Sequence, residues 1–452
     1  VTPARLAAAR VLLAIDRGRT TLSSELERQR ASVEDERDRG LLLELAAGTL
    51  RWRNELDAWL AACMTRPLGE IDAAVLTLLR VGAYQLVHLD RIPPHAVVHE
   101  SVELARALGH TRATGFVNAV LRRLASRRPP KALPQRPKDT DPRGRQIAYL
   151  ATTLSHPVWL AERWLDRHGF AAAEAWCRFN NETPAVTLAP TGRLSTTELA
   201  AALEAVGISV ERARWVNEAL RLPPGSAGRL PAELSSAVSI QDEGSQVVGH
   251  VVRAQPGERI LDACASPGGK TVVMARDMDR QGTLVATDQR TTRLRVLKNV
   301  LERAGVDAPV LQLDASRPLP FRDVFDAVLL DAPCSGLGTL RRDPDLKWSR
   351  QPDQLPQLAS AQRAMLAQAA LAVRPGGRLI YATCSSEPEE NEAVARAFLE
   401  THPDFTGARI DPGPAVASGA DLVDDHGYLR TLPFRDGLDA FFAALLVRRR
   451  AA

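Results

Sequence analysis

Cysteine is scarce in this 452-residue chain, and so is lysine, with five of each against 58 lysines and arginines together. The cysteines (Cys63, Cys177, Cys264, Cys334 and Cys384) are odd in number, far apart, and include no CxxC pair. That pattern excludes a disulfide framework and a cysteine-rich zinc site, so no metal is expected. Long apolar runs are missing too. None approaches the roughly 18 residues of a membrane span, and Arg5, Arg10, Asp16 and Arg17 interrupt the place where a signal peptide would carry its apolar core. Free thiols with no span and no leader predict a cytoplasmic protein with no membrane partner. An excess of one charge is also lacking, since 54 acidic residues leave a net charge of only +4, and nothing global announces a nucleic-acid partner. What is present, 45% hydrophobic and 25% charged residues, excludes a disordered chain. The length predicts two to four domains.

Residues 2–126 read as helical throughout. Thr2-Pro3 is a cap with a first-turn proline, Gly18 is a stop, and Ser32 with Asp35 forms a capping box before Leu41, Leu42 and Leu45. Leu56, Trp59, Leu60 and Cys63 share one helix face, as do Val117, Val120, Leu121 and Leu124. These stripes predict an all-α domain over 1–128, with Cys63 in its core. From Leu121 to Arg145 nine basic residues, among them Arg122, Arg123, Arg127, Arg128, Lys131, Arg136 and Arg143, meet only Asp139 and Asp141. With the prolines between, this predicts an extended basic linker over 129–145 whose charge could track a phosphate backbone.

Between 146 and 235 a helix at 159–179 leads into a strand at 185–188, a helix capped by Ser195 with Glu198 and stopped at Gly207, and a strand at 208–210. The pattern predicts a small α/β connector. Beyond it, strand-like runs at 259–263, 284–288, 310–314, 325–331, 378–382 and 441–447 alternate with amphipathic helices. A doubly wound, Rossmann-like α/β domain with a mostly parallel sheet is expected over 236–452.

The chemistry gathers at the carboxyl ends of those strands, where open α/β sheets bind ligands. The first runs into Cys264, Ala265, Ser266, Pro267, Gly268, Gly269 and Lys270 and then a helix. Glycines there let a ligand approach the backbone, and the helix start offers free N–H groups. The turn has neither GxGxxG nor GxxxxGKS/T spacing, which disfavours a dinucleotide or P-loop reading. Asp288 ends the second strand, suited to ribose hydroxyls, and Asp314 ends the third. The fourth delivers Asp331-Ala332-Pro333-Cys334-Ser335 and the fifth Thr383-Cys384-Ser385. Two thiols at neighbouring strand mouths suggest covalent chemistry. Cys264 reads as a small packing residue within the cofactor loop, and Cys177, beside Trp176, as core.

These three stretches, the second extended through Arg341-Arg342-Asp343-Pro344-Asp345-Leu346-Lys347-Trp348, resemble the signature motifs of S-adenosylmethionine-dependent RNA 5-methylcytosine methyltransferases. The N-terminal domain resembles the NusB family of RNA-binding helical proteins through Val81-Gly82-Ala83-Tyr84-Gln85-Leu86, Ile92-Pro93-Pro94, Val102-Glu103-Leu104-Ala105 and Phe116-Val117-Asn118-Ala119-Val120-Leu121. The pairing of the two domains resembles the RsmB (Sun) family of ribosomal RNA cytosine-5 methyltransferases. That resemblance implies S-adenosylmethionine as cofactor, small-subunit ribosomal RNA before full assembly as partner, and a monomeric enzyme. It implies that Cys384 attacks carbon 6 of the cytosine and that Cys334 helps release the product. Asp331 would then bond the base edge, and Lys270 would polarise it as charge develops. Three alternatives stand beside this: an enzyme acting on another RNA such as tRNA, a DNA cytosine methyltransferase attacking through Cys334, and a non-catalytic RNA-binding or antitermination scaffold.

Overall fold

Thr2 and Pro3 start the first helix as their cap signal predicts, and the computed structural model describes residues 1–18, 20–126, 133–223, 226 and 230–450. The chain divides into two units, residues 1–182 with 340–350, and residues 183–339 with 351–452. In the first unit, α1 (Pro3–Asp16), α2 (Leu22–Arg30), α3 (Glu36–Arg51), α4 (Arg53–Ala61), α5 (Ala73–His88), α6 (Pro94–Ala107) and α7 (Thr114–Ala125) surround one core. It takes in both predicted stripes, including Cys63, together with Leu12, Leu45 and Leu78. Each buried leucine or valine contributes about 1.5–3 kcal/mol. The cap of α3 differs from expectation. Asp35 alone accepts from the Arg37 and Asp38 amides, while the Ser32 hydroxyl donates back to Gln29 O and closes α2.

The basic stretch also differs from a free tether. Arg127, Arg128, Pro129, Pro130 and Lys131 lie outside the described residues. Past them, Arg136 pairs with Glu174 and Asp139, and Arg143 pairs with Asp166 and Glu162 at the start of α8 (Arg143–Ala148). Acids on the next helix, α9 (Val158–Asn181, interrupted at Gly169), thus pair with two of the basic residues of this stretch. The helix expected to open the connector belongs to this first unit.

So does a segment from much later in the chain. Residues 340–350, with the single-turn helix α14 (Leu346–Ser349), pack into the helical unit, although the sequence reading grouped 341–348 with the methyltransferase motifs. Asp345 accepts from Leu22 N and Asp343 from the Ser23 hydroxyl. The Trp348 indole N–H donates to Leu50 O. Buried Lys347 donates to Arg51 O, Ser155 O and Asn181 Oδ1.

In the second unit, β1 (Val186–Pro190), α10 (Thr196–Ala205), β2 (Glu211–Arg212), β3 (Leu220–Leu222) and β4 (Val238–Ile240) form a small layer, its antiparallel sheet ordered β2-β3-β1-β4. The Ser195–Glu198 capping box forms. Residues 208–210 are not a strand, because the Ile208 N–H still donates to Leu203 O and closes α10.

The larger sheet follows α11 (Glu243–Val251). It contains β5 (Arg259–Asp262), β6 (Thr283–Asp288), β7 (Val310–Gln312), β8 (Phe325–Asp331), β9 (Val373–Thr383), β10 (Phe405–Ala408), β11 (Leu429–Arg430) and β12 (Phe442–Arg448). The helices between them are α12 (Gly269–Asp277), α13 (Thr291–Ala304), α15 (Leu355–Ala372), α16 (Glu392–Thr401) and α17 (Pro433–Asp436). The order is β10-β12-β9-β8-β5-β6-β7, with β11 on β12. The five strands from β9 to β7 are parallel. The pairs of β12 with β9 and with β10 are antiparallel, so the sheet is mixed. Chain order reverses direction between β5 and β8, the crevice where such sheets take their ligands. Among the described residues, no helix is long and apolar enough to cross a membrane, and no group of three or more metal-binding side chains is present.

Candidate active site

The loop from β5 to α12 is shaped by Gly268, whose φ of +114° is one that side-chain-bearing residues rarely adopt. A cavity of about 210 Å3 opens against it. Residues 264–267, Gly269 and Lys270 line that cavity with Asp331 from the end of β8. Two further wall residues went unnoticed in the sequence, Asp262 and Gln241, each with one buried oxygen that has no donor. Asp262 Oδ2 accepts from the Thr271 hydroxyl at 2.7 Å. Burial outweighs that bond and pushes the Asp262 carboxyl up to about 7.

Asp288 ends β6 and accepts from the Arg290 amide. Asp314 sits two residues past β7, and the hydroxyl and amide of Ser316 hold its carboxyl below the ordinary value. Gln289 Nε2 donates to Asp314 Oδ2 at 3.0 Å, which links the two strand ends. Neither Asp288 nor Asp314 lines the cavity itself. Cys264 nevertheless reports that the acids converge: burial first, and then the carboxylates of Asp262, Asp331 and Asp288, push its thiol well up. Cys264 is partly buried against the sheet core and also lines the cavity, while Cys177 is fully buried.

Lys270 reaches from the first turn of α12 to Asp331 Oδ2, 2.7 Å away. Burial works against its ammonium, but the Asp331 charge and hydrogen bond more than offset that and hold it above the ordinary lysine value. Asp331 lies opposite Ala382 in the β8–β9 register, so the residues that follow each strand emerge side by side. Cys334 Sγ and Cys384 Sγ come to 3.2 Å. Gly338 N donates to Cys384 O, and Ala440 N donates to Gly338 O. A Cβ on Gly338 would meet Ala440 O at 2.0 Å, so only glycine allows this approach. The Cys334 thiol is pushed well above its ordinary value, first by the contact with Cys384 and then by burial.

Asp331, Cys334 and Cys384 therefore lie at the carboxyl edge of β8 or in the loops that follow β8 and β9, and Lys270 reaches Asp331 from the first turn of α12. Comparison with known proteins divides the chain into three matched stretches. The family model for the 16S rRNA methyltransferases RsmB/F matches residues 250–447, that of the NusB family residues 2–126, and that of an RsmF/B-like ferredoxin-like domain residues 156–226. The chain is 37% identical over 453 residues to the ribosomal RNA small subunit methyltransferase B of Pseudomonas putida, covering 99% of each. It is 35% identical over 411 residues to the probable ribosomal RNA small subunit methyltransferase B of Bacillus subtilis, covering 90% of each. Among solved structures, that of the protein PH0851 matches with a TM-score of 0.81 at 26% identity, covering 99% of both chains. A paired-thiol site on this sheet and relatives matched along nearly their whole length lead to one conclusion: the chain belongs to the RsmB/F family of 16S rRNA methyltransferases.

Proposed function

We propose that this protein transfers a methyl group from S-adenosylmethionine to carbon 5 of a cytosine in small-subunit ribosomal RNA, through a covalent adduct with Cys384. The 3.2 Å approach of Cys334 and Cys384 beside Asp331 carries the reading. The cofactor fits the site. Asp262 Oδ1 and Gln241 Oε1 are buried acceptors without donors, both in the wall of the loop cavity, and the cofactor's ammonium can supply donors. Residues 264–270 would hold it with Asp288, suited to its ribose hydroxyls, and Asp314, suited to its adenine amino group. When bound, S-adenosylmethionine supplies an electrophilic methyl group on a sulfonium.

Carbon 5 of cytosine is a poor nucleophile, and a thiolate adding at carbon 6 makes it enamine-like. Cys384 supplies that thiolate. Cys334 is proposed for the opposite task, because its sulfur, 3.2 Å from that of Cys384, is placed to give a proton to it and so assist release. Once carbon 5 carries the methyl group, its proton passes to water, the electron pair of that C–H bond forms the carbon 5–carbon 6 double bond, and the Cys384 sulfur leaves with the pair of its bond to carbon 6, taking the Cys334 proton as it departs. Asp331 bonds the base edge, and Lys270, already paired with it, steadies the charge that develops. The base must leave its stack to arrive there, so binding energy has to come from RNA contacts elsewhere. Residues 1–128 and the connector at 146–235 are the parts proposed to supply them, with chemistry confined to 236–452.

The test is incubation with methyl-labelled S-adenosylmethionine and either small-subunit ribosomal RNA or tRNA, followed by digestion to nucleosides. Label in 5-methylcytidine from the ribosomal RNA alone is expected. Label confined to tRNA, or to any other nucleoside, would overturn the reading.

A further inference from the structure

The two thiols sit on separate loops, which beyond the ladder meet through the Gly338 N–Cys384 O bond and through the hydroxyls of Ser335 and Ser385, 3.2 Å apart. A buried carboxylate that the reaction does not consume joins them. Glu390 lies just before α16, fully buried. Its Oε2 accepts from the hydroxyl of Ser335, the neighbour of Cys334, and from the hydroxyl of Ser385, the neighbour of Cys384, each at 2.5 Å. Its Oε1 accepts from Ser335 N at 2.8 Å and from Gln362 Nε2 at 2.9 Å. The same Gln362 amide donates to Pro333 O. The backbone of Glu390 is fixed in turn, since the Tyr381 hydroxyl of β9 donates to its carbonyl.

From this geometry we infer that Glu390 is the positioning residue of the thiol pair, holding the Cys334 and Cys384 loops in register so that one sulfur can hand a proton to the other. The assignment rests on the thiol roles proposed above, but the geometric part stands apart from them. An acceptor-only carboxylate suits the place because all four groups facing it donate. An amide of the same size either sets its N–H hydrogens against the donor-only Ser335 N and Gln362 Nε2 or makes both hydroxyls turn round to accept, so Glu390→Gln keeps the volume and weakens the link.

The experiment has two arms. The first needs no turnover: phenylarsine oxide binds two adjacent thiols together and releases one water. Wild-type protein should take it up at the Cys334–Cys384 pair, and Cys334→Ser should not. Glu390→Gln should take it up at least about tenfold more slowly. A Ser335→Ala, Ser385→Ala double variant keeps the Ser335 amide bond to Glu390 and should show the same defect, which covers the case in which the Gln variant does not fold. In the second arm kcat should fall about tenfold to a hundredfold in both, with KM for S-adenosylmethionine unchanged. Covalent protein–RNA complex should also accumulate, because release needs Cys334 in place. Wild-type arsenical uptake with wild-type kcat in the folded variants would overturn the role of Glu390. If instead Cys334→Ser accumulates no complex while uptake still depends on Glu390, the catalytic reading fails and the positioning of the thiols survives.

Discussion

Lys270 Nζ lies 2.7 Å from Asp331 Oδ2, which ties the start of α12 to the end of β8. Both groups are largely buried, so Lys270→Met should cost roughly 1–3 kcal/mol of stability. The ammonium is held above its ordinary value in the folded protein, so its contribution is complete below the unfolded value near 10.4 and is lost only as pH rises past the folded one. Urea unfolding of wild type and variant should therefore differ by a constant amount from about pH 6 to about pH 9. A gap that closes within that range would contradict the pairing.

Lys347 behaves in the opposite sense. Burial pushes its ammonium well below the ordinary value, and three acceptors but no carboxylate hold it. The unfolded chain then binds a proton more readily than the folded one, so stability should rise as pH climbs from the folded value toward about 10.4. In Lys347→Met that rise should disappear, whatever the variant's absolute stability. Equal slopes in the two proteins would show that Lys347 keeps its full charge in the helical unit.

Asp262 gives the converse acid case. With its carboxyl at about 7, the folded protein keeps a proton that the unfolded chain releases near pH 4, so stability should fall as pH rises between those values. The slope is at most about 1.4 kcal/mol per pH unit, and Asp262→Asn should remove it. Denaturant melts at several pH values decide the matter, and a wild-type slope in the variant would place the titration elsewhere.

Loss of Asp288 or Asp314 should weaken S-adenosylmethionine binding by roughly 1.5–3 kcal/mol per lost charged hydrogen bond, with RNA affinity unchanged. Calorimetry on the two alanine variants measures this. Undiminished cofactor affinity in both would remove them from the site.

What the sequence makes legible here is local. A glycine-rich turn after a strand, an acid at a strand end and a thiol two or three residues past one can each be read within a dozen residues, and Lys270, Asp331, Cys334 and Cys384 were found that way. Glu390 could not be, because its partners Ser335 and Gln362 lie 55 and 28 residues away and periodicity carries no record of which loops a sheet will bring together. Residues 341–348 show the same limit, since their motif sits among the methyltransferase signatures while Lys347 bonds Asn181, 166 residues earlier. The ion pairs of Arg136 and Arg143 within the basic run at 121–145 were hidden for a related reason: their acids include Glu174 and Asp166 on a later helix. β10 and β11 escaped because they are short and exist only by pairing with β12.

The central claim is that the two sulfurs 3.2 Å apart do different work. Serine at either position tests it, because a hydroxyl is far less readily ionised than a thiol of reference pKa about 8.5. The measurement is a denaturing gel of each variant after incubation with ribosomal RNA and S-adenosylmethionine. The account predicts no methyl transfer and no trapped RNA for Cys384→Ser, and for Cys334→Ser a protein–RNA complex that survives the gel. Trapping by Cys384→Ser with none by Cys334→Ser would contradict it and make Cys334 the nucleophile.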